Sequence, residues 1–363
     1  MKPTKPYTGP YKFLLMSKNQ EKVLRRLWRR GRLLHWLGNL LRLVGVALLA
    51  LVVGLHILFT GPSQTVCDML TMSLTESSAL KFVPYVFLRD EQVREIFDRC
   101  AVQEPEEKVD PSLITIPAPE DLAKENGGED AAPAEPIVIE YVSGGTYKGQ
   151  VMIVQDPSRV FLGVTNERFS TAGIGIDKMV EKYGAVGGIN ASGFKDDNGN
   201  GNGGTPLGTI ISEGKVLRSD TSKTIAAFDN NNILHVGKFD KAQAEALGLR
   251  DGAGWGPALI VNGVPAEIDT DSTGLNPRTG IGQRADGAVI LVTLDGRHAS
   301  SLGGTYKDLI DIFIRYGAVN ACNLDGGYSS IMYYQGERVS KVTDMTRTRR
   351  IPTAFLIKGV DEE

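Results

Sequence analysis

Asn320-Ala-Cys-Asn-Leu-Asp-Gly-Gly-Tyr-Ser-Ser-Ile-Met332 is the stretch on which the reading of this chain turns. Its two ends, Asn320 to Leu324 and Ile331 to Tyr334, have the composition of buried strands. Between them one carboxylate, Asp325, precedes Gly326 and Gly327 and the hydroxyls of Ser329 and Ser330. The glycine pair permits a backbone path with positive φ and a close approach of a ligand to the main chain. Two readings compete. Asp-Gly between strands is a strong hairpin signal, and the same residues also make a cradle for an anion or a sugar.

Working outward, Thr305 to Tyr316 has the spacing of an amphipathic helix, with Leu309, Ile310, Ile312, Phe313 and Tyr316 on one face. Ile176 to Tyr183 is a second helix. Short β-rich runs bounded by turn residues surround them, among them Ile137 to Ser143, Lys148 to Gln155, Ala288 to Leu294 and Thr353 to Lys358. Glycine, at 42 residues, favours turns and strands over long helices in this part of the chain. Strands and helices without β-α alternation predict an α+β domain over residues 137–360, with a mixed sheet and few helices.

The 363 residues leave room for appendages, and the charge shows where they lie. Eleven Lys/Arg against the single Glu21 give residues 1–42 a balance of +10, leaving −13 for the rest of a chain whose net charge is −3. Leu43 to Phe59 is apolar apart from His56, and with the weaker stretch from Leu33 it reaches the roughly 20 residues of a bilayer-spanning helix. Segments 1–42 and 43–60 therefore read as a basic cytoplasmic head and a single transmembrane anchor, the Arg-rich side staying inside and the body passing outside. The charged head is too long for a cleaved signal peptide, and no A-x-A site follows the run. An acidic body gives no reason to expect nucleic acid as a partner.

Residues 63–100 read as a membrane-proximal helical unit broken at Pro84, with Cys67 and Cys100 at its flanks and able to pair outside the membrane. Residues 101–136, rich in Glu, Pro, Ala and Gly, read as a disordered linker.

Several polar clusters stand at strand ends. Ile189-Asn-Ala-Ser-Gly-Phe194 presents Asn190 and Ser192, suited to sugar hydroxyls or to closing a buried turn. Asp196, Asn198 and Asn200 have calcium-loop spacing, but Leu207 stands where an EF-hand has its bidentate Glu, so a flexible Gly/Asn loop is the preferred reading and calcium the lesser one. No other cofactor is expected. Arg278, between a proline turn and a strand, can clamp a phosphate with paired N–H groups or form a surface ion pair. Asp295, Arg297 and Arg350 end other strands. Walker A, H-E-x-x-H and G-x-S-x-G motifs are missing from the sequence, and neither His235 nor His298 lies in a convincing nucleophile–base context.

Taken in order, Ile-Asn-Ala-Ser-Gly-Phe (189–194), Pro-Arg-Thr-Gly-Ile-Gly (277–282), Leu-Asp-Gly-Arg (294–297), Asn-Leu-Asp-Gly-Gly-Tyr-Ser-Ser (323–330) and Arg-Ile-Pro-Thr (350–353) resemble the phosphodiester glycosidase family, whose bacterial members are often exopolysaccharide-related. The resemblance covers roughly residues 137–359. Tyr328 stands where the family commonly has a third glycine, and Gly280 where it often has Ala. The resemblance implies hydrolysis between an anomeric carbon and a phosphodiester. It implies Asp325, Arg278 and Asp295 as catalytic residues, and Asn190, Ser192, Arg297, Asn323, Gly326, Gly327, Ser329, Ser330 and Arg350 as substrate contacts. With the anchor, the expectation is a single-pass membrane protein whose extracytoplasmic domain cleaves phosphate-linked cell-envelope glycans. A non-catalytic glycan-binding or assembly module on the same fold is the alternative.

Overall fold

The computed structural model describes residues 18–77, 80–117, 137–196, 201–269, 273–341 and 349–359. The chain divides into two compact units, Met1–Gly61 and Pro62–Glu363.

The first unit is one helix, Lys18–Thr60. Its part from Arg26 to Thr60 is long and apolar enough to cross a membrane, the one such helix among the described residues. The helix runs without a break across the expected boundary at residue 43, because Arg25 to Arg42 have high helix propensity as well as charge.

In the second unit Ser63 caps the helix Gln64–Thr75, and Pro84–Phe87 and Asp90–Arg99 follow as separate helices. Arg99 holds this unit together by a forked contact to the buried carboxylate of Asp68, at 2.9 and 2.7 Å. Cys67 and Cys100 are not paired. All three cysteines are free thiols, and burial raises the pKa of each.

The body carries a seven-stranded sheet in the order Val264–Pro265, Ala258–Val261, Ala318–Leu324, Arg278–Arg284, Val289–Leu294, Lys148–Val154, Ile137–Ser143. A five-stranded sheet runs Glu337–Arg338, Met332–Tyr334, Ala185–Asn190, Thr353–Lys358, Val160–Val164, and a second five-stranded sheet is built on residues 210–253. The α+β class holds, and the strand pairs described are antiparallel. The faces of these three sheets enclose the main core, in which Met152, Leu162, Ile189, Phe228, Leu234, Ile281, Leu324 and Phe355 pack together. The amphipathic helix Tyr306–Arg315 covers the outer face of the large sheet through Leu309, Ile312 and Phe313. Glycine at 280 and 282 makes that possible: a Cβ at either position would stand 2.8 or 2.9 Å from the Phe313 ring.

The expected linker is structured in its first part. Val102–Gln103 pairs with Glu267–Ile268, the Thr224 hydroxyl donates to Glu104 at 2.6 Å, the Thr115 N–H donates to the Ala285 carbonyl at 2.8 Å, and Ile114 is buried. A few apolar anchors and backbone partners from the body supply what the local composition lacks. Residues 118–136 of that expected linker lie outside the described residues.

Candidate active site

The opening stretch is neither hairpin arm nor loop tip. Ala318–Leu324 is a central strand of the large sheet, whereas Met332–Tyr334 belongs to the five-stranded sheet. The chain crosses between them through Asp325, Gly326 and a single 3₁₀ turn, Gly327–Ser329. Two buried contacts hold this crossing: the Asp325 N–H donates to the Ala191 carbonyl at 3.0 Å, and the Asn190 amide donates to the Asp325 carbonyl at 2.6 Å. Gly327 has φ +64° and donates its N–H to the Pro277 carbonyl at 2.9 Å.

The Asp325 carboxylate is half-buried at the base of this turn. Burial pushes its pKa up to about 7, while hydrogen bonds from the Ser329 hydroxyl and the Gly326 N–H, and the charge of Arg349, pull the other way. Such a carboxyl, poised near neutrality, is a signature of a site built for proton or charge chemistry.

Arg349 places its charge near this carboxylate, and Arg297 lies against the glycine turn. Arg349 pairs with Asp196 at 2.6 Å and lies over the Phe194 ring at 4.9 Å. Arg297 lies over the Tyr328 ring at 4.8 Å and donates to the Asn276 carbonyl oxygen Oδ1 at 3.0 Å. A Cβ at Gly327 would come within 3.3 Å of the Arg297 guanidinium, so the second glycine is what lets the arginine lie against the turn. Arg297 itself has φ +62°, a conformation that costs a non-glycine residue of order 1 kcal/mol or more and clusters at functional positions.

Several expected site residues have other work. Arg278 is buried, and its donors go to the carbonyls of Gly304, Thr273 and Gly274 and to the carboxylate of Glu76, with the Tyr306 ring 3.8 Å from the guanidinium carbon. It is a buried brace and presents no fork to a phosphate. Asp295 is buried too, accepting from the Gln150 amide and the Lys341 N–H, so it braces the strand end. Burial raises its pKa. Asn190 spends its oxygen on the Thr279 hydroxyl and the Ile331 N–H, and positions Asp325 rather than a sugar. The Ser192 hydroxyl is shared with Thr353 at 2.7 Å. Asn323 donates to the Gly256 carbonyl and is buried. Ser330 is buried with no hydrogen-bond partner at its hydroxyl. Arg350 is exposed; its neighbour Arg349 turns inward.

The calcium reading loses its carboxylate, since Asp196 accepts from Arg349 and from the Gly201 N–H. Asn198 and Asn200 lie outside the described residues.

Sequence reasoning missed Glu76, Asn276, Tyr306 and Arg349. Glu76 accepts from the Asn276 amide at 2.7 Å, its carbonyl accepts from Arg297 at 3.4 Å, and the neighbouring Ser73 hydroxyl accepts from the Leu275 N–H at 2.8 Å. Tyr306 feels the charges of both Glu76 and Asp325 and is pushed up to about 12 by burial. Arg349 was separable from Arg350 only by knowing which way the last strand faces; Glu76 carried no local signal.

Residues 183–358 match the family model for phosphodiester glycosidase. The match bears out the resemblance drawn from five motifs over these residues and supports a glycosidase-like function for them. A solved structure of the zebrafish N-acetylglucosamine-1-phosphodiester alpha-N-acetylglucosaminidase catalytic domain, auto-inhibited by its pro-peptide, shares the fold: TM-score 0.51 and 19% identity over 62% of this chain and 82% of that one. A hypothetical protein from Synechocystis aligns with TM-score 0.50 and 16% identity over 63% of this chain and 64% of its own. The SPbeta prophage-derived uncharacterized protein YomE of Bacillus subtilis is 30% identical over 202 residues, 52% of this chain but only 29% of the relative. The chain thus spans under a third of that curated relative's length.

Proposed function

We propose that this protein is a membrane-anchored hydrolase acting outside the cytoplasm on glycosyl-1-phosphodiester linkages of cell-envelope glycans. The observation that carries the reading is the Asp325 carboxyl, its pKa raised to about 7, in the glycine turn against which Arg297 lies. A single apolar helix with an Arg-rich approach supports the anchor and its orientation.

The substrate phosphate lies toward Arg297 and Tyr328, and the anomeric carbon faces Asp325. Phosphate is a better leaving group than an alkoxide, so bond cleavage depends less on a general acid than in ordinary glycosidases. The ionised Asp325 carboxylate then stabilises the positive charge that develops on the sugar, or attacks it, while the bond electrons pass to the phosphate oxygen. Water completes the reaction, giving a free sugar and a phosphate monoester. Asn190 and Ser329 act by holding Asp325 in place, and Arg349 acts through the charge it places near the carboxylate.

The test is release of free sugar from a UDP-sugar or a simple sugar-1-phosphodiester by the full chain in detergent. The full chain is needed because residues 73–76 and 102–115 pack on the body. Asp325→Asn should abolish release with the fold intact. Binding of glycan without turnover, indifferent to Asp325→Asn, would replace the hydrolase with a non-catalytic binding module.

A further inference from the structure

Three residues, 61–63, join the helix Lys18–Thr60 to the helix Gln64–Thr75. A tether that short spans at most roughly 11 Å, so the second unit must begin at the surface of any bilayer that the first unit crosses. The chain just beyond it is rich in exposed apolar side chains. Leu80, Phe82, Tyr85 and Val86 are 45%, 61%, 48% and 66% exposed, all within one short run. By contrast, the exposed large apolar residues described in 137–359, such as Leu302, Ile314 and Tyr328, stand at least ten residues apart in the chain. Single exposed apolar residues are ordinary, whereas a cluster marks a surface that meets something.

The local fold turns these side chains outward. The Val83 N–H donates to the Leu80 carbonyl at 2.9 Å and the Leu88 N–H to the Pro84 carbonyl at 2.8 Å, winding the run into consecutive turns. Pro84 and Leu88, four residues apart, are buried and take the inward side, and Phe82, Tyr85 and Val86 fall off it. Lys81 and Arg89, both exposed, stand at the two ends of the run, and the acids Asp90 and Glu91 begin only after it. Aromatic and aliphatic side chains between cationic ends suit the headgroup region of a bilayer. Four side chains are far fewer than the roughly twenty that a stable protein interface takes from each partner. Against a bilayer so small a surface suffices, because the anchor already holds it there at high effective concentration.

We propose that Leu80, Phe82, Tyr85 and Val86 seat the membrane-proximal unit in the headgroup region of the bilayer that holds the first unit. The proposal goes beyond the hydrolase reading and rests only on its membrane anchor. Seating also places the site. Glu76, four residues before Leu80, accepts from the Asn276 amide, and Asn276 in turn accepts from Arg297. The arginine corner is thereby held close to the lipid surface.

Phe82→Cys in the full chain, labelled with a thiol-reactive NBD dye and placed one copy per phosphatidylcholine nanodisc, reads the contact directly. The native thiols react slowly at neutral pH, since burial raises the pKa of each, and the wild type gives the background. Doxyl groups near the headgroup end of the acyl chains should quench the label at 82 about two-fold or more. The same label at Val264→Cys, exposed on an edge strand of the body, should keep its emission. Val86→Cys should behave as Phe82→Cys does, and replaces it if that variant fails to fold. Unquenched labels at 82 and 86 overturn the proposal, as does equal quenching at 264. A label shielded from water but unquenched means that protein covers the patch, and shielding that needs two copies per disc means a second copy; either overturns it. Extraction by alkaline carbonate tests the anchor separately. A chain that stays with the lipid while 82 is unquenched keeps the anchor and loses the patch, whereas a chain washed off loses both.

Discussion

Replacing Asp325 by Asn should abolish turnover and stabilise the protein at alkaline pH. Burial lifts the carboxyl from its ordinary 3.8 to about 7 in the folded protein. A displacement of that size corresponds to roughly 4 kcal/mol, at about 1.4 kcal/mol for each pH unit. The folded state therefore holds this proton where the unfolded chain has lost it. Stability from the group is full below the unfolded pKa near 4 and is lost as pH rises through about 7. Because the carboxylate keeps some solvent contact, screening reduces the loss to about 2–3 kcal/mol. Asn has no such titration, and its oxygen still accepts from Ser329 and the Gly326 N–H. Thermal unfolding of the full chain in detergent, at pH 5 and pH 8, reads the difference. At pH 8 the variant should melt roughly 5 °C or more above the wild type, and at pH 5 the gap should shrink by about half or more. Equal pH slopes in the two proteins, or a variant less stable at pH 8, would refute the argument that a buried charge is maintained at this position.

The remaining expectations follow from the same contacts. If the ionised carboxylate is the working form, kcat/KM should rise as pH passes through about 7; a fall over that range would make Asp325 the proton donor instead. Arg278→Ala leaves Glu76 facing a buried hole and strands three carbonyls, so it should cost about 3–5 kcal/mol in denaturant unfolding, and Arg278→Lys should not restore it. Asn190→Ala unpairs the Ile331 N–H and the Thr279 hydroxyl and frees the Asp325 backbone, which should cost about 2–4 kcal/mol and lower kcat more than it raises KM. Gly193→Ala would place a Cβ 2.0 Å from the Trp255 ring, so tryptophan emission should shift and stability should drop by about 1–3 kcal/mol.

Much of the fold was legible locally. The helix Tyr306–Arg315 followed from its apolar spacing, the strands from β-branched runs between turn residues, and the long N-terminal helix from an apolar run behind arginines. The chemistry of the turn was legible as well, because Asp before two glycines restricts what the backbone there can do. Burial and pairing were not. Arg278 and Arg297 stand at similar strand ends in the sequence, yet one is spent on carbonyls and Glu76 while the other lies against the glycine turn. Asp295 and Asp325 both precede glycine, but the first accepts from the Gln150 amide and the Lys341 N–H, while burial brings the second to a pKa of about 7 in the glycine turn.

By itself, the sequence of Asn320–Met332 determined that a carboxylate would sit on a glycine turn between apolar strands, since residue type limits φ and ψ wherever the chain runs. Whether that turn closed a hairpin or carried the chain from one sheet to another was decided by the tertiary structure. Pairing with Arg278–Arg284 on one side and Ala185–Asn190 on the other draws the two strands into different sheets. Glu76 lies 202 residues before Arg278, and only the packing of the whole body brings the two within hydrogen-bond reach.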